Sequence, residues 1–276
     1  MTKLPTNIDP SHISDLKQSL PESVRTHLDE ATQRVVDAKR SGGKIVVVVG
    51  SGPNLHEGVT TLIAELIRVG VIDGVTTSSA VIAHEMAGTL DRVKRVDGES
   101  VGFPAAKLPH GGHFELTQMN EDDLCEIRKE FPVDDDLLKR LHQADGQVII
   151  KAAGNMAYPM GYRTERIARE IEQVAKMLGC PFEAIAGRGA DPQTMIGAGH
   201  RHGAPVLVTV PQLIGGGAVG LAIGDSISLT ERTARIAKLL GDADVIIESA
   251  VALTQEIHDG PFETYTGHGV WADWDG

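Results

Sequence analysis

Two kinds of residue are scarce in this chain of 276 residues: cysteine occurs twice, and aromatic residues make up 4%. Cys125 and Cys180 lie in unrelated segments, so we expect free thiols in the reducing cytoplasm and no disulfide framework. With so few aromatic side chains, the chain is poorly equipped to stack nucleic-acid bases. The scarcity therefore argues against a secreted disulfide scaffold and against a base-stacking surface.

Long apolar runs and basic clusters are also missing. No stretch approaches the roughly 18 consecutive apolar residues that a membrane span requires, and the first residues show no apolar stretch of the secretory type. The net charge is -12 and no cluster of Lys and Arg stands out, which argues against a nucleic-acid partner. The expected partners are therefore a small-molecule substrate and other copies of the chain, with no nucleic acid and no membrane.

Glycine, by contrast, is abundant at 31 residues, and apolar strands alternate with amphipathic helices along the chain. Many glycines fit an enzyme whose backbone approaches its ligands closely. The sequence contains six strand candidates in succession: KIVVVV, VIDGVTT, QVIIKAAG, PFEAIA, APVLVTV and ADVIIES. This alternation predicts an α/β fold with an open, mostly parallel, Rossmann-like sheet and helices on both faces.

The predicted domain organisation follows from where that alternation starts and where it is interrupted. Residues 1-43 are expected to form a helical N-terminal lead-in, and residues 44-276 the sheet domain. The segment SSAVIAHEMAGTLDRV is expected to form one helix after the second strand. An insertion around residues 97-145 breaks the pattern, with an irregular loop and two short helices near 121-130 and 134-143.

Ligands of open α/β sheets bind beyond the carboxyl ends of the strands, so the residues that follow each strand are the candidate site. The segment KIVVVVGSGPNLHEG ends the first strand in glycine-rich backbone. Gly50 and Gly52 fit a dinucleotide fingerprint, but Gly58 falls six residues after Gly52, and VTTSS stands where an acidic residue is expected. The residues alone leave a phosphate-binding loop and a tight turn as open interpretations. Ser78 and Ser79 add hydroxyls at the start of the next helix.

Two stretches of the chain resemble known cofactor-binding segments. GSGPNLHEGVTTLIAELIRVGVIDGVTTSSAVIAHE is similar to the cofactor-binding segment of deoxyhypusine synthase and of the archaeal-type ornithine cyclodeaminase domain. In HGAPVLVTVPQLIGGGAVGLAIGD, Gly215 to Gly217 and Asp225 resemble a glycine-rich, acid-terminated cofactor loop. The counterparts of the family motif in the first stretch are Asn54, Gly58, Asp73, Thr76, Thr77, Ser79, Ala80, His84 and Glu85.

The resemblance implies a cofactor, an assembly and a class of reaction. It implies an NAD-binding, Rossmann-like domain with an atypical phosphate loop, assembled as a homo-oligomer, a tetramer or a dimer. It also implies hydride transfer at the amine-bearing carbon of an amino acid or amine. The C-terminal lysine motif of deoxyhypusine synthase and the N-terminal domain of the cyclodeaminases have no counterpart here, so the substrate is not specified. The expected cofactor-binding residues are Gly50, Ser51, Gly52, Asn54, Gly58, Thr76, Thr77, Ser78, Ser79, Glu85, Gly216, Gly217 and Asp225.

Three side chains are candidates for catalysis. Lys151 ends an apolar strand, where a lysine can serve as a base or a Schiff-base amine, or can reach solvent or pair with an acid. Glu248 ends another strand and can orient a ribose hydroxyl or act as a base, unless it is simply solvated. His84 can exchange a proton near neutral pH.

Glycine-flanked histidines support a different interpretation of the chain. Five of them lie in short loops or at a helix end, namely His110, His113, His200, His202 and His268. Converging histidines would suit a metal-assisted hydrolase or lyase, but none has the HExxH spacing, and no residue is assigned to a metal. A non-catalytic dinucleotide-binding protein is the third interpretation.

Overall fold

The computed structural model describes residues 10-50, 58-87, 91-108, 112-151, 157-209 and 217-249. Its strands, in chain order, are β1 Ile45–Val49, β2 Gly74–Thr77, β3 Asp91–Asp97, β4 His113–Thr117, β5 Gly146–Lys151, β6 Val206–Val208 and β7 Val245–Ser249. Its helices are α1 Pro10–Ser19, α2 Glu22–Arg40, α3 Val59–Arg68, α4 Ser79–Ala87, α5 Glu121–Glu130, α6 Asp135–Gln143, α7 Met160–Leu178, α8 Phe182–Gly189, α9 Met195–His202, α10 Gly217–Ser226 and α11 Leu229–Gly241. Within these ranges, no helix is both long enough and apolar enough to cross a membrane.

Four parallel strands form the main sheet, in the order β6-β2-β1-β7. Val48 of β1 lies beside Thr76 of β2 on one side and beside Glu248 of β7 on the other. Counted along the chain among these four strands alone, the order is 3-2-1-4. The predicted α/β fold with an open parallel sheet is confirmed.

Helices cover both faces of the main sheet. Val47, Val49 and Val75 point to one face and join a buried apolar cluster with residues of α3, α4, α9 and α10. On the other face, Leu239 of α11 lies so close to Gly74 that a Cβ there would collide with it. The unbroken apolar run of β1 is explained by this arrangement, because a strand covered on both faces has no solvent side for polar residues.

The lead-in helices are fixed to the sheet by an ion pair at its amino edge. Lys39 of α2 pairs with Asp73, which precedes β2, at 2.9 Å between Nζ and Oδ2. The same carboxylate accepts the backbone N–H of Ile45 at 2.8 Å. Asp73 therefore has a structural role at the edge of the sheet opposite to the candidate site.

Three antiparallel strands form a second sheet, in the order β4-β3-β5. Val93 lies opposite Thr117 of β4 and Ile149 of β5. Apolar side chains of α5 and α6 pack against one face of this second sheet, and Leu124 and Leu141 are buried there.

Two predictions are corrected by this second sheet. QVIIK is not a strand of the main sheet, because β5 pairs antiparallel with β3. The helix expected to run through Val93 ends at Ala87, and β3 begins at Asp91. Val93 and Val96 are three residues apart, a spacing that also fits a helix, and in the strand they are buried in two different apolar clusters on its opposite faces.

The remaining helices show which local signals are dependable. The two short helices of the insertion are confirmed, with Asn120 and Asp134 as their side-chain caps. Helix α11 also has a side-chain cap, since Ser228 Oγ accepts the backbone N–H of Glu231. PFEAIA, however, is not a strand but helix α8, which starts after Pro181. Proline suits that position because its fixed φ angle already matches helical backbone.

Candidate functional site

The carboxyl ends of the four parallel strands meet at one edge of the main sheet. There β1 leads to Gly50, β2 to Ser78, β6 to Thr209, and β7 carries Glu248 and Ser249 at its end. The strand order reverses between β1 and β7, since the chain moves outward to β6 on one side before returning to β7 on the other. Such a switch point opens a crevice beyond the strand ends, where open α/β sheets bind their ligands.

The N-terminus of α3 follows β1 at this edge. Gly58 precedes the helix with φ 79° and ψ 6°, a left-handed conformation that glycine adopts without strain. Among the described residues, no atom lies within 4 Å of the place that a Cβ would take there. Glycine has no side chain to accept the first N–H groups of the helix, which suits an anion. Ser51, Gly52 and Asn54 lie outside the described residues and stay predictions.

The turn from β2 into α4 is buried and rich in hydroxyls. Thr76, Thr77, Ser78 and Ser79 are all nearly inaccessible. Ser78 Oγ accepts the N–H of Val81 at 3.3 Å. The Oγ1 atoms of Thr76 and Thr77 are buried and have no hydrogen-bond partner among the described residues. Buried hydroxyls are normally hydrogen-bonded, so these two are the polar atoms of the edge best placed to accept or donate to a ligand.

The residue that follows β6 is hydrogen-bonded to the end of β2. Thr209 donates its backbone N–H and its Oγ1 hydroxyl to the carbonyl of Thr77, at 3.0 Å and 3.2 Å. Gly217, with φ 55°, begins α10, while Gly216 lies outside the described residues. Asp225 does not lie in a cofactor loop as predicted, because it is exposed in the last turn of α10. The hydrogen bond with Glu172 is the main cause that raises the pKa of Lys176 on α7, and the charge of Asp225 raises it further.

Glu85 faces the protein interior. Only 2% of it is exposed, and its carboxylate accepts the N–H groups of Met195 and Ile196, at 2.7 Å and 3.0 Å, at the start of α9. Burial raises the pKa of Glu85 from 4.5 to about 7, and the two N–H donors offset part of that rise. Its described contacts are thus structural, and its cofactor role stays a prediction. His84 is half-buried, and adjacent helix positions are about 100° apart, so it points elsewhere.

The other catalytic candidates lie on two different sheets. Glu248 is exposed on β7, beside Val48 at the switch point. Lys151 ends β5 in the antiparallel sheet, opposite Asp91, so the reasoning that placed it at the carboxyl end of a parallel strand is wrong.

The histidines do not form a metal site in the described part of the chain, where no group of three or more potential ligands occurs. His200 and His202 are exposed in the last turn of α9, as the sequence predicted for a helix end. His113 is exposed on β4. His110 and His268 lie outside the described residues.

A cavity of about 460 Å³ lies near the opposite, amino edge of the sheet. Asp73 and Asp242 on its rim are already paired, with Lys39 and Lys238 respectively, at 2.9 Å and 2.8 Å. The other charged residues that line it are paired as well, Lys44 with Asp242 and Arg235 with Glu231, so each charged lining residue in the described part of the chain already has a counter-ion. We therefore place the candidate site at the carboxyl edge.

A buried ion pair joins α8 and α11, and no pattern in the sequence predicts it. Arg232 and Glu183 are 1% and 2% exposed, and Nη1 of Arg232 lies 2.6 Å from Oε1 of Glu183. The two residues are 49 positions apart in the chain, so no local pattern links them. The one available signal is a Glu within the otherwise apolar segment PFEAIA.

Neither a protein-family model nor a curated protein sequence matches the chain. Similar solved structures include the apo form of ArgZ, an arginine dihydrolase from the ornithine-ammonia cycle in cyanobacteria, with TM-score 0.43, 11% identity, and coverage of 86% of this chain and 25% of that chain. A binary complex of an AgrE mutant with L-arginine has TM-score 0.43 and 14% identity, over 86% and 26%. Unliganded AgrE has TM-score 0.41 and 13% identity, over 87% and 27%. The chain thus spans about a quarter of the length of each of them.

Proposed function

We propose that the chain is an NAD-binding enzyme, with the dinucleotide held at the carboxyl edge of the main sheet across the switch point between β1 and β7. The observation that carries the proposal is the strand order, which counts as 3-2-1-4 among the parallel strands. Dinucleotide-binding sheets share this order, and their ligand crosses the crevice where the order reverses.

The residues at the edge fit such a ligand. The pyrophosphate would lie at the N-terminus of α3, where Gly58 has no side chain and the helix dipole favours an anion. The buried hydroxyls of Thr76 and Thr77 lie at the end of β2, next to the strand from which the pyrophosphate loop departs. Glu248, on the other side of the switch point, suits a ribose hydroxyl.

The proposed reaction is hydride transfer at the amine-bearing carbon of an amino acid or amine. This class comes from the resemblance of residues 50-85 to the deoxyhypusine synthase and ornithine cyclodeaminase segments. Bound NAD would accept the hydride from the amine-bearing carbon, and His84 or Glu248 would take the proton that the nitrogen releases as the C=N bond forms. A dinucleotide-binding protein without catalysis is the alternative, and it shares the same site.

A thermal-shift experiment tests the cofactor. NAD should raise the melting temperature of the wild type, because a ligand at 100 times its Kd stabilises the native state by about 2.7 kcal/mol. Gly52→Val places a branched side chain where the dinucleotide should pass and should abolish the shift. The matched control is Gly241→Val, where an added Cβ meets no atom within 4 Å at the far end of α11.

The outcome of this experiment, together with a measurement of bound metal, distinguishes the three interpretations of the chain. No shift in the wild type at millimolar NAD would count against the cofactor itself. A shift without any reduced nicotinamide across a panel of amino acids and amines would favour the non-catalytic alternative. Stoichiometric metal in the purified protein, measured by elemental mass spectrometry, would favour the hydrolase or lyase.

A further inference from the structure

The ion pair between Glu183 and Arg232 does more than neutralise two buried charges. Oε1 of Glu183 also accepts the backbone N–H of Val208 at 2.7 Å. Nη1 of Arg232 also donates to the carbonyl of Val208 at 3.2 Å. One carboxylate and one guanidinium thus bind both backbone groups of the last residue of β6.

These two groups point away from the rest of the sheet. Pro205 and Thr209, on either side of β6, bond to β2 as acceptor and donor respectively. In a parallel ladder, alternate residues direct their backbone groups to the same neighbour, so Val208, next to Thr209, directs its groups to the other side of the strand. Val208 therefore presents its N–H and C=O at the open edge of the sheet, and the ion pair takes the place of a neighbouring strand there.

The same guanidinium reaches α10. Nη2 of Arg232 donates to the carbonyl of Ile223 at 2.8 Å and to Oγ of Ser226 at 3.3 Å. Ser226 Oγ in turn accepts the N–H of Phe182, at the start of α8. A single side chain is therefore bonded to the strand before the β6–α10 connection and to the helix after it.

We propose that Glu183 and Arg232 are positioning residues for the ligand at the carboxyl edge, which they serve by holding the end of β6, and with it the bond from Thr209 to β2, against α10. This inference rests on the proposed function for the ligand, and on the contacts above for β6 and α10. Thr209, which bonds to the end of β2, directly follows the residue that the pair holds. Nε of Arg232 is a further buried donor, without a hydrogen-bond partner among the described residues.

A purely stabilising pair would behave differently. Replacing both members of a buried ion pair by neutral residues of similar size is often neutral for stability, because the cost of desolvating two charges disappears with them. If the pair only stabilised the fold, a folded neutral variant would bind ligand as the wild type does. If it holds the end of β6 in place, ligand affinity should fall while the fold remains.

The test uses the double variant Glu183→Gln with Arg232→Met. Its matched control is Glu231→Gln with Arg235→Met, which neutralises an exposed i,i+4 pair on the same helix. The Kd for NAD is measured by calorimetry at a temperature where circular dichroism shows each variant folded. Amide hydrogen exchange over residues 206-209 and 217-226 is measured on the same samples without ligand.

We expect the double variant to exchange faster than the control at both ends of the connection and to bind NAD about tenfold more weakly, the size of a typical coupling between sites. A folded double variant with the Kd and the exchange of the wild type would overturn the inference and leave NAD binding intact. If the wild type does not bind NAD, the proposed function fails. The amide exchange rates then decide the inference alone: faster exchange in the double variant supports it, and exchange equal to that of the control overturns it. If the double variant does not fold, Arg232→Lys replaces it, because it keeps the cation but loses the planar fork that bonds strand and helix together.

Discussion

The buried carboxylate of Glu85 predicts an unusual dependence of stability on pH. It lies in the apolar layer between α4 and α9 and accepts two backbone N–H groups at the N-terminus of α9. Burial is the largest cause of its raised pKa, which stands at about 7 against 4.5 for the unperturbed group. Between these two values the folded chain keeps a proton that the unfolded chain has released.

The direction of the effect follows from proton linkage. Stability falls with rising pH wherever the folded state binds more protons than the unfolded state. The contribution of protonated Glu85 is fully present below pH 4.5 and is lost as the pH rises through about 7. The difference between those two values corresponds to a loss of about 3 kcal/mol.

The perturbation that isolates this contribution is Glu85→Gln, which keeps the shape of the side chain and cannot ionise. Urea unfolding of both proteins from about pH 5 to about pH 8 gives two stability curves, and their difference removes every other titrating group. The wild type should lose about 2.5 kcal/mol relative to the variant over that range, most of it between about pH 5 and about pH 7. A difference between the two proteins that stays constant with pH would refute the reasoning, because it would show that Glu85 does not titrate between the two values.

Three further predictions concern other contacts. Glu183→Gln alone leaves the Arg232 charge buried without its counter-ion and should destabilise the chain by about 3 to 5 kcal/mol. Urea unfolding should show a lower midpoint at unchanged slope, and a loss of stability below about 1 kcal/mol would contradict the prediction. Ser228→Ala removes the side-chain cap of α11 and should cost about 1 kcal/mol, with Ser41→Ala outside any helix N-terminus as its control. Light scattering should give a mass of two or four chains, and a mass of 29.4 kDa at micromolar concentration would exclude the predicted oligomer.

Local chemistry is what the sequence conveys well. Ser228 and Glu231 are only three positions apart, so the letters SLTE are enough to predict a helix start, and in the structure Ser228 Oγ caps α11 by accepting the N–H of Glu231. The run from Ile45 to Val49 shows no polar residue, which is enough to predict a strand covered on both faces. From such strands and the helices between them, an open parallel sheet follows because parallel strands need crossover connections.

Contacts between distant segments are what the sequence conveys poorly. Glu85 and Met195 are 110 positions apart, and nothing near either residue indicates the other. The same reason explains the error at Lys151. QVIIK has the composition of a parallel core strand, but its pairing depends on β3, whose charged pattern DRVKRVD gives no sign of a strand buried on both faces.

Three buried charged groups lie on the same side of the main sheet. Glu85, Glu183 and Arg232 all bond to backbone groups of β6 or of the helices packed on the β6–β2 side. On the other side, β7 is half open to solvent, with Ile246 50% exposed and Glu248 exposed beside it. Hydrogen-bonded charge in a low-dielectric interior holds backbone positions firmly, since leaving such groups unpaired is costly. The carboxyl edge thus has a firmly held side at β2 and β6 and a solvent-exposed side at β7, and the strand order reverses between this exposed strand and β1.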